Sequence, residues 1–485
     1  MLMWQSPNKL AQKDESEMMS ENLSLAAQFN YLSKTKTLAN FDWDVDEFEG
    51  VPFYEALPAC PTKEQWETFR INDDTLRDGL GGLRIVPSVE KTIRYIESAY
   101  DLGIRNLILS IYVGEGTSSD KLTKAILTHF KLHPLPDLKF LITIPIMAPA
   151  IEWAKKCVAI NPEMVEIAPF IGTAPSRLFI ENWSKEFVLD KVFNSVSELS
   201  KESYSLRCVI EHATQTSPDF LEKILTAQLQ ASGNKLESII LTDTIGCGTP
   251  QSIYRLFWFA KKVLRKNRAD QVSLEFHAHN DTGMALTNAL SAISAGATYI
   301  DTTARGIGER AGNLSLESLL LTAFRMQMKV GANLSFDWSK MENYLNTFHD
   351  LSGLSKTNYG VMCATSHTTG YGTHGAALEK YRQLQVYGEE KLEQLQKQLF
   401  EAQETQKRID EMAGNLYNAI DPARVGKSNQ IIVGPQIGIK GLNYVLSKYN
   451  INLSKEQLIS LRTRVTMMNK EIADEELVRM ANELL

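Results

Sequence analysis

The chain is predicted to be an α/β protein, a closed (β/α)₈ barrel of the TIM type followed by a mainly helical C-terminal subdomain. Three observations predict this. Eight short runs rich in Ile, Val, Leu and Phe follow one another between residues 68 and 304. Stretches of helical period separate them. The whole pattern fills about 260 residues, the usual size of one closed barrel.

The runs are TFRINDDTL, NLILSIYV, KFLITIPIM, MVEIAPFI, SLRCVIEHA, LESIILTD, VSLEFHAH and TYIDTTA. Such continuous apolar composition suits strands buried on both faces. Between them lie amphipathic segments such as SVEKTIRYIESAYDLG, TPQSIYRLFWFAKKVLRK and GMALTNALSAISAGA. Strand–helix alternation implies a parallel sheet, and an open doubly wound sheet is the alternative to the closed barrel. Residues 1–63 read as an N-terminal extension, whose acidic and aromatic part FDWDVDEFEGVPFYEALPACP is expected to pack as a cap on the next domain. Residues 64–330 read as the barrel. Residues 331–485 read as the helical subdomain, with a charged, Pro-free helical insertion near 379–413.

Of 485 residues, 44% are hydrophobic and 22% charged, the balance of a soluble globular protein with more than one core. A net charge of -7 argues against nucleic acid as a partner, because phosphate binding needs a basic face. The five cysteines, Cys60, Cys157, Cys208, Cys247 and Cys363, form no CxxC pair and read as reduced thiols of a cytoplasmic protein. Neither a signal peptide nor a run long enough to cross a membrane is expected.

Barrel active sites sit at the carboxyl ends of the strands. The first run ends in Asp73-Asp74-Thr75-Leu76-Arg77-Asp78-Gly79, and the seventh in Glu275-Phe276-His277-Ala278-His279-Asn280-Asp281. Alternation along a strand points His277 and His279 the same way. With Asp78 across the mouth they make a His₂-carboxylate set for one divalent ion, with positions left open for substrate. The Gly-rich loop Arg305–Asn313 brings the Asn313 oxygen within reach of the same ion. An HxH pair alone is more often satisfied by hydrogen bonds. Here two of only eight histidines share one strand end, followed by Asn-Asp, and an acid-rich segment ends another strand.

These segments carry a resemblance. His277-Ala278-His279-Asn280-Asp281-Thr282-Gly283-Met284-Ala285, with Asn288 and Gly306-Ile307-Gly308-Glu309-Arg310-Ala311-Gly312-Asn313, is similar to a diagnostic motif of the 2-isopropylmalate synthase and homocitrate synthase family. Thr75-Leu76-Arg77-Asp78-Gly79 resembles its first motif. Glu211-His212-Ala213-Thr214 and Asp243-Thr244-Ile245-Gly246 resemble its fifth- and sixth-strand segments. The resemblance covers the whole barrel. It implies condensation of the acetyl group of acetyl-CoA with a 2-oxo acid, release of CoA, a divalent metal (Mg, Mn or Zn) and a homodimer. Residue by residue, it implies that Asp78, His277 and His279 hold the metal with Asn313 near it. Arg77 would stabilise an enolate oxygen, and Glu211 would take part in proton transfer. In Ser366-His367-Thr368-Thr369-Gly370-Tyr371-Gly372-Thr373-His374, the best register makes His374 the catalytic histidine. Tyr417 matches a tyrosine that assists proton transfer.

Two departures stand out. Leu80-Gly81-Gly82 replaces the usual Gln after the first motif, and Ile108 stands where a second-strand glutamate is usual, with Glu115 a conceivable substitute. Leucine-type feedback control is not expected. The alternatives to the synthase are a 3-hydroxyacyl-CoA lyase and a non-catalytic, metal-free binding barrel.

Overall fold

The computed structural model describes residues 60–83, 85–356, 422–428, 430–468 and 470–485, with short stretches at 41–44, 46, 361–363, 368–369 and 374. Eight parallel strands form one closed barrel in chain order: β1 (Arg70–Asp73), β2 (Asn106–Ile111), β3 (Lys139–Pro145), β4 (Val165–Gly172), β5 (Leu206–Glu211), β6 (Leu236–Asp243), β7 (Ser273–Ala278) and β8 (Tyr299–Thr302). Each lies in one of the eight apolar runs. β8 returns to β1, pairing Tyr299 with Arg70 and Thr302 with Asp73, so the open-sheet alternative falls.

The intervening helices carry local stop and start signals. Val89–Leu102 begins at Ser88, whose hydroxyl accepts the Lys91 N–H, and ends at Gly103 in a left-handed conformation (φ 114°). Its buried residues Thr92, Tyr95, Ile96, Ala99 and Leu102 follow the helical period, so one stripe faces the sheet. Pro250–Lys266 starts with proline in its first turn and a reciprocal cap between Thr249 and Ser252.

Among the described residues three apolar cores result. The largest lies between sheet and helices. A small one inside the barrel joins Ile108, Leu141, Ala168 and Ile240, with Val209 against it. A third gathers Ile431, Val433, Leu442, Leu461, Leu477 and neighbours from the helices Ile439–Ser447, Lys455–Met468 and Asp474–Asn482. The described residues of the C-terminal part are thus mainly helical, with a two-stranded parallel pair, Thr368–Thr369 and Gln430–Ile431.

Ahead of the barrel, Trp43 is buried and packs on Phe259 at 5.7 Å. Its indole N–H donates to the Thr216 carbonyl, 3.3 Å away. The buried Arg255 guanidinium donates to the carbonyls of Trp43 and Asp46. This part of the extension therefore packs on the loop after β5 and on the helix after β6. The segments 1–40, 47–59 and 379–413 lie outside the described residues.

Candidate active site

Past β1 the chain makes a turn of π-helix, Thr75–Gly79. Such wide turns recur at functional sites because they re-aim side chains. Here the Asp74 carbonyl accepts N–H bonds from both Asp78 and Gly79 at 3.1 Å, which turns Arg77 and Asp78 over the barrel mouth. Arg77 donates its Nε and one Nη to Asp74 and its other Nη to Asp78 Oδ1 at 3.0 Å. Three of its five N–H groups are so engaged, leaving two.

From β7, His277 and His279 bring their Nε2 atoms to 3.3 Å. A ligand atom from each, with one from Asp78, lies within 4.8 Å of the others, and all three residues are buried. Asn313 is bridged to His279 through the backbone and donates its amide to Asp78 Oδ2. A Cβ on Gly308 would meet Asn313 Nδ2 at 2.3 Å and Asp78 Oδ2 at 3.0 Å, so this approach requires glycine there. Gly308 thus lets Asn313 approach Asp78 closely.

The arrangement fits a metal ion. Asn313 Oδ1 and His279 Nδ1 are buried without a hydrogen-bond partner. The two facing Nε2 atoms and a carboxylate offer ligand atoms close enough to hold one cation between them. Burial pushes Asp78 up, yet Arg77, His277 and His279 hold it well below the usual carboxylate range. Burial and the charge of His277 pull His279 down to about 3, leaving its imidazole neutral, as a metal ligand would need to be.

Behind these groups stand residues that sequence reasoning missed. His277 Nδ1 meets Asp301 Oδ2 at 3.2 Å and Asp74 Oδ2 at 3.5 Å. Asp301 Oδ1 accepts from Asn72 at 2.7 Å, and Asn72 also donates to Glu275 at 2.6 Å. Buried Arg207 pairs with Glu166 at 2.7 Å and Glu275 at 3.3 Å, under the ring of Tyr299. A signal existed: Glu166, Arg207, Glu275 and Asp301 are charges inside runs that are otherwise mostly apolar.

The structure brings Arg77, Asp78, His277, His279 and Asn313 together. Glu211 ends β5 on the opposite wall, and burial raises its pKa against the pull of Arg177. His374 is half-buried, in the segment after the barrel, and is not one of the three residues of the Asp78–His277–His279 group. Tyr417 and His367 lie outside the described residues. Ile108 belongs to the apolar cluster within the barrel, and exposed Glu115 pairs with Lys156 at 2.7 Å instead of entering the site.

A family model described as HMGL-like matches residues 68–342. The 2-isopropylmalate synthase of Sediminispirochaeta smaragdinae is 27% identical over 331 residues, covering 65% of this chain and 57% of that protein. The 2-isopropylmalate synthase 2 of Caldanaerobacter subterraneus subsp. tengcongensis is 24% identical over 429 residues, 86% of this chain and 95% of that one. The chain spans a little over half the length of the first of these relatives. A solved HMG-CoA lyase from Acenitobacter baumannii, in complex with coenzyme A and 3-methylmalate, aligns with a TM-score of 0.48 at 18% identity, over 59% of this chain and 92% of that one. Among the described residues, no helix is long and apolar enough to cross a membrane.

Proposed function

The chain belongs to the HMGL-like family, which also takes in the 2-isopropylmalate synthases, and from that premise we propose that it condenses the acetyl group of acetyl-CoA with a 2-oxo acid and releases CoA. The observation that carries this reading is the buried cluster of Asp78, His277 and His279, with Arg77 held beside it by two carboxylates. Asp78, His277, His279 and Asn313 would hold a divalent ion, Mg, Mn or Zn. Such an ion supplies a Lewis acid and a template for the 2-oxo acid.

The chain's own groups then divide the work. Arg77 is a fixed cation, mostly shielded from water, whose two uncommitted N–H groups suit an enolate oxygen; charge placed in advance counts most where negative charge develops. His374, carried by the segment after the barrel, removes the methyl proton, with Tyr417 assisting. Glu211, on the far wall, serves proton transfer. A homodimer belongs to the same reading, and light scattering checks it.

The test is thiol release from acetyl-CoA with added Mg²⁺, Mn²⁺ or Zn²⁺ across pyruvate, 2-oxoisovalerate, oxaloacetate and 2-oxoglutarate. Release that needs both a metal and one particular acid supports the synthase. Acetyl-CoA produced instead from 3-hydroxy-3-methylglutaryl-CoA would turn the assignment to the lyase. Calorimetry that detects binding of neither metal nor acetyl-CoA would turn it to a binding barrel.

A further inference from the structure

Opposite the Asp78–His277–His279 group, the end of β5 carries a second constellation, in which His212 beside Glu211 has been given no role. His212 follows Glu211 and adopts a left-handed backbone, φ 64° and ψ 33°, which is uncommon outside glycine. Four bonds hold it there. Its N–H is shared between Thr242 Oγ1 at 3.1 Å and Thr244 Oγ1 at 2.8 Å. Its carbonyl accepts from the Thr216 hydroxyl and the Gln215 N–H, both at 2.9 Å. A strained residue held from both sides is a familiar mark of a functional position.

The ring is as telling as the backbone. Its Nδ1 is buried, has no hydrogen-bond partner, and lies 3.8 Å from Glu211 Oε1. The imidazole keeps 15% of its surface exposed, so with Nδ1 buried the rest of the ring edge is what solvent can reach. A rotation that shortened the Nδ1–Glu211 gap by about 1 Å would complete a hydrogen bond. That would give a carboxylate-oriented imidazole with Nε2 toward the accessible edge, the arrangement that makes histidine a general base. Burial and the nearby Arg177 and Arg310 pull the ring down to about 4, so it is neutral near pH 7. Thr242, which holds the His212 N–H, is the register partner of His277. The pair therefore stands two strands, or about 10 Å of sheet, from the metal-binding histidines.

Resting on the condensation reading above, we infer that Glu211 and His212 form a dyad that activates the water hydrolysing the thioester of the condensation product. His212 Nε2 takes a proton from water while the oxygen bonds to the thioester carbonyl carbon. The resulting imidazolium presents its Nδ1–H to the Glu211 carboxylate. As the tetrahedral adduct collapses, the C–S bond breaks and the proton passes from Nε2 to the departing sulfur, giving a carboxylic acid and the free thiol. His374 would serve the first proton transfer and the dyad the second.

The experiment uses the full chain with Mn²⁺ and follows two products, free thiol by a colorimetric reagent and the acyl-CoA adduct by mass spectrometry. His212→Asn keeps a residue that tolerates the left-handed backbone. It is expected to lower thiol release by about 10²–10⁴-fold while the adduct accumulates. Glu211→Gln should do the same to a lesser degree. Thiol release within about twofold of wild type in His212→Asn, or release lost with no adduct formed, overturns the dyad and leaves the condensation standing. If wild type forms neither product, the condensation reading falls, and the preformed adduct of acetyl-CoA and pyruvate decides the dyad. Its hydrolysis by wild type but not by His212→Asn sustains the base; no hydrolysis by wild type overturns that too.

Discussion

Inside the barrel, the polar group set around β7, β8 and β1 and the apolar group drawn from β2, β3, β4 and β6 are built from opposite materials. The first packs Asp74, Asp78, His277, His279, Asp301 and Asn313 into one hydrogen-bonded group. The second contributes Ile108 from β2, Leu141 from β3, Ala168 from β4 and Ile240 from β6 to an apolar cluster. The difference teaches where chemistry and insulation are kept. Charges set against a dry wall interact more strongly than charges in water, so the apolar side raises the value of every contact on the polar side without touching it.

Breaking the polar side is expected to have the largest effect. His277→Ala should abolish metal uptake and lower turnover by at least about 10³-fold, read by metal analysis of dialysed protein and by thiol release; retained activity would remove the metal site. Breaking the apolar side should act on stability alone. Ile240→Ala is expected to cost about 2–4 kcal/mol in urea unfolding and to leave Mn²⁺ affinity within about twofold; a large loss of affinity would mean that the two sides are not separable.

Smaller changes sharpen the contrast. Asp301→Asn removes the charge behind His277 while keeping its shape, and should weaken Mn²⁺ binding about 10–100-fold by calorimetry with the thermal midpoint little changed. The smallest effect concerns pH. His212 ionises at about 4 in the fold against an ordinary 6.5. Between those values the unfolded chain binds the extra proton, so this residue removes stability as pH falls from 6.5 toward 4. With partial solvent access allowed for, that is about 1–2 kcal/mol. The urea midpoints of wild type and His212→Asn should therefore converge, or cross in favour of the variant, between pH 7 and pH 5; parallel curves would exclude the shift.

Much of the polar side was legible in the sequence, because its residues sit where periodicity alone settles the face. His277 and His279 are two apart at the end of one strand, and Asp78 follows β1 by a few residues. The barrel was legible because strands covered on both faces have little choice of composition. Depth was not legible. Asp301 and Asp74 lie near Asp78 in space and look no different from it in sequence, since alternation says which way a side chain points and not whether it meets a ligand or another residue. Arg207 and Glu275 could be noticed as charges in apolar runs, but their pairing across the barrel joins residues 68 positions apart. The conformation of His212 depends on Thr242 and Thr244, which belong to another strand and its loop.

The docking of Trp43 has a consequence in time. Its indole bonds to Thr216, 173 residues further along, and its carbonyl is held by Arg255, 212 residues further along. A chain made at about 5–20 residues per second completes that socket roughly 10–40 s after the tryptophan is made. Among the described parts of the molecule, this segment is thus synthesised first and seated late, as a clasp that closes only after β5 and β6 are in place.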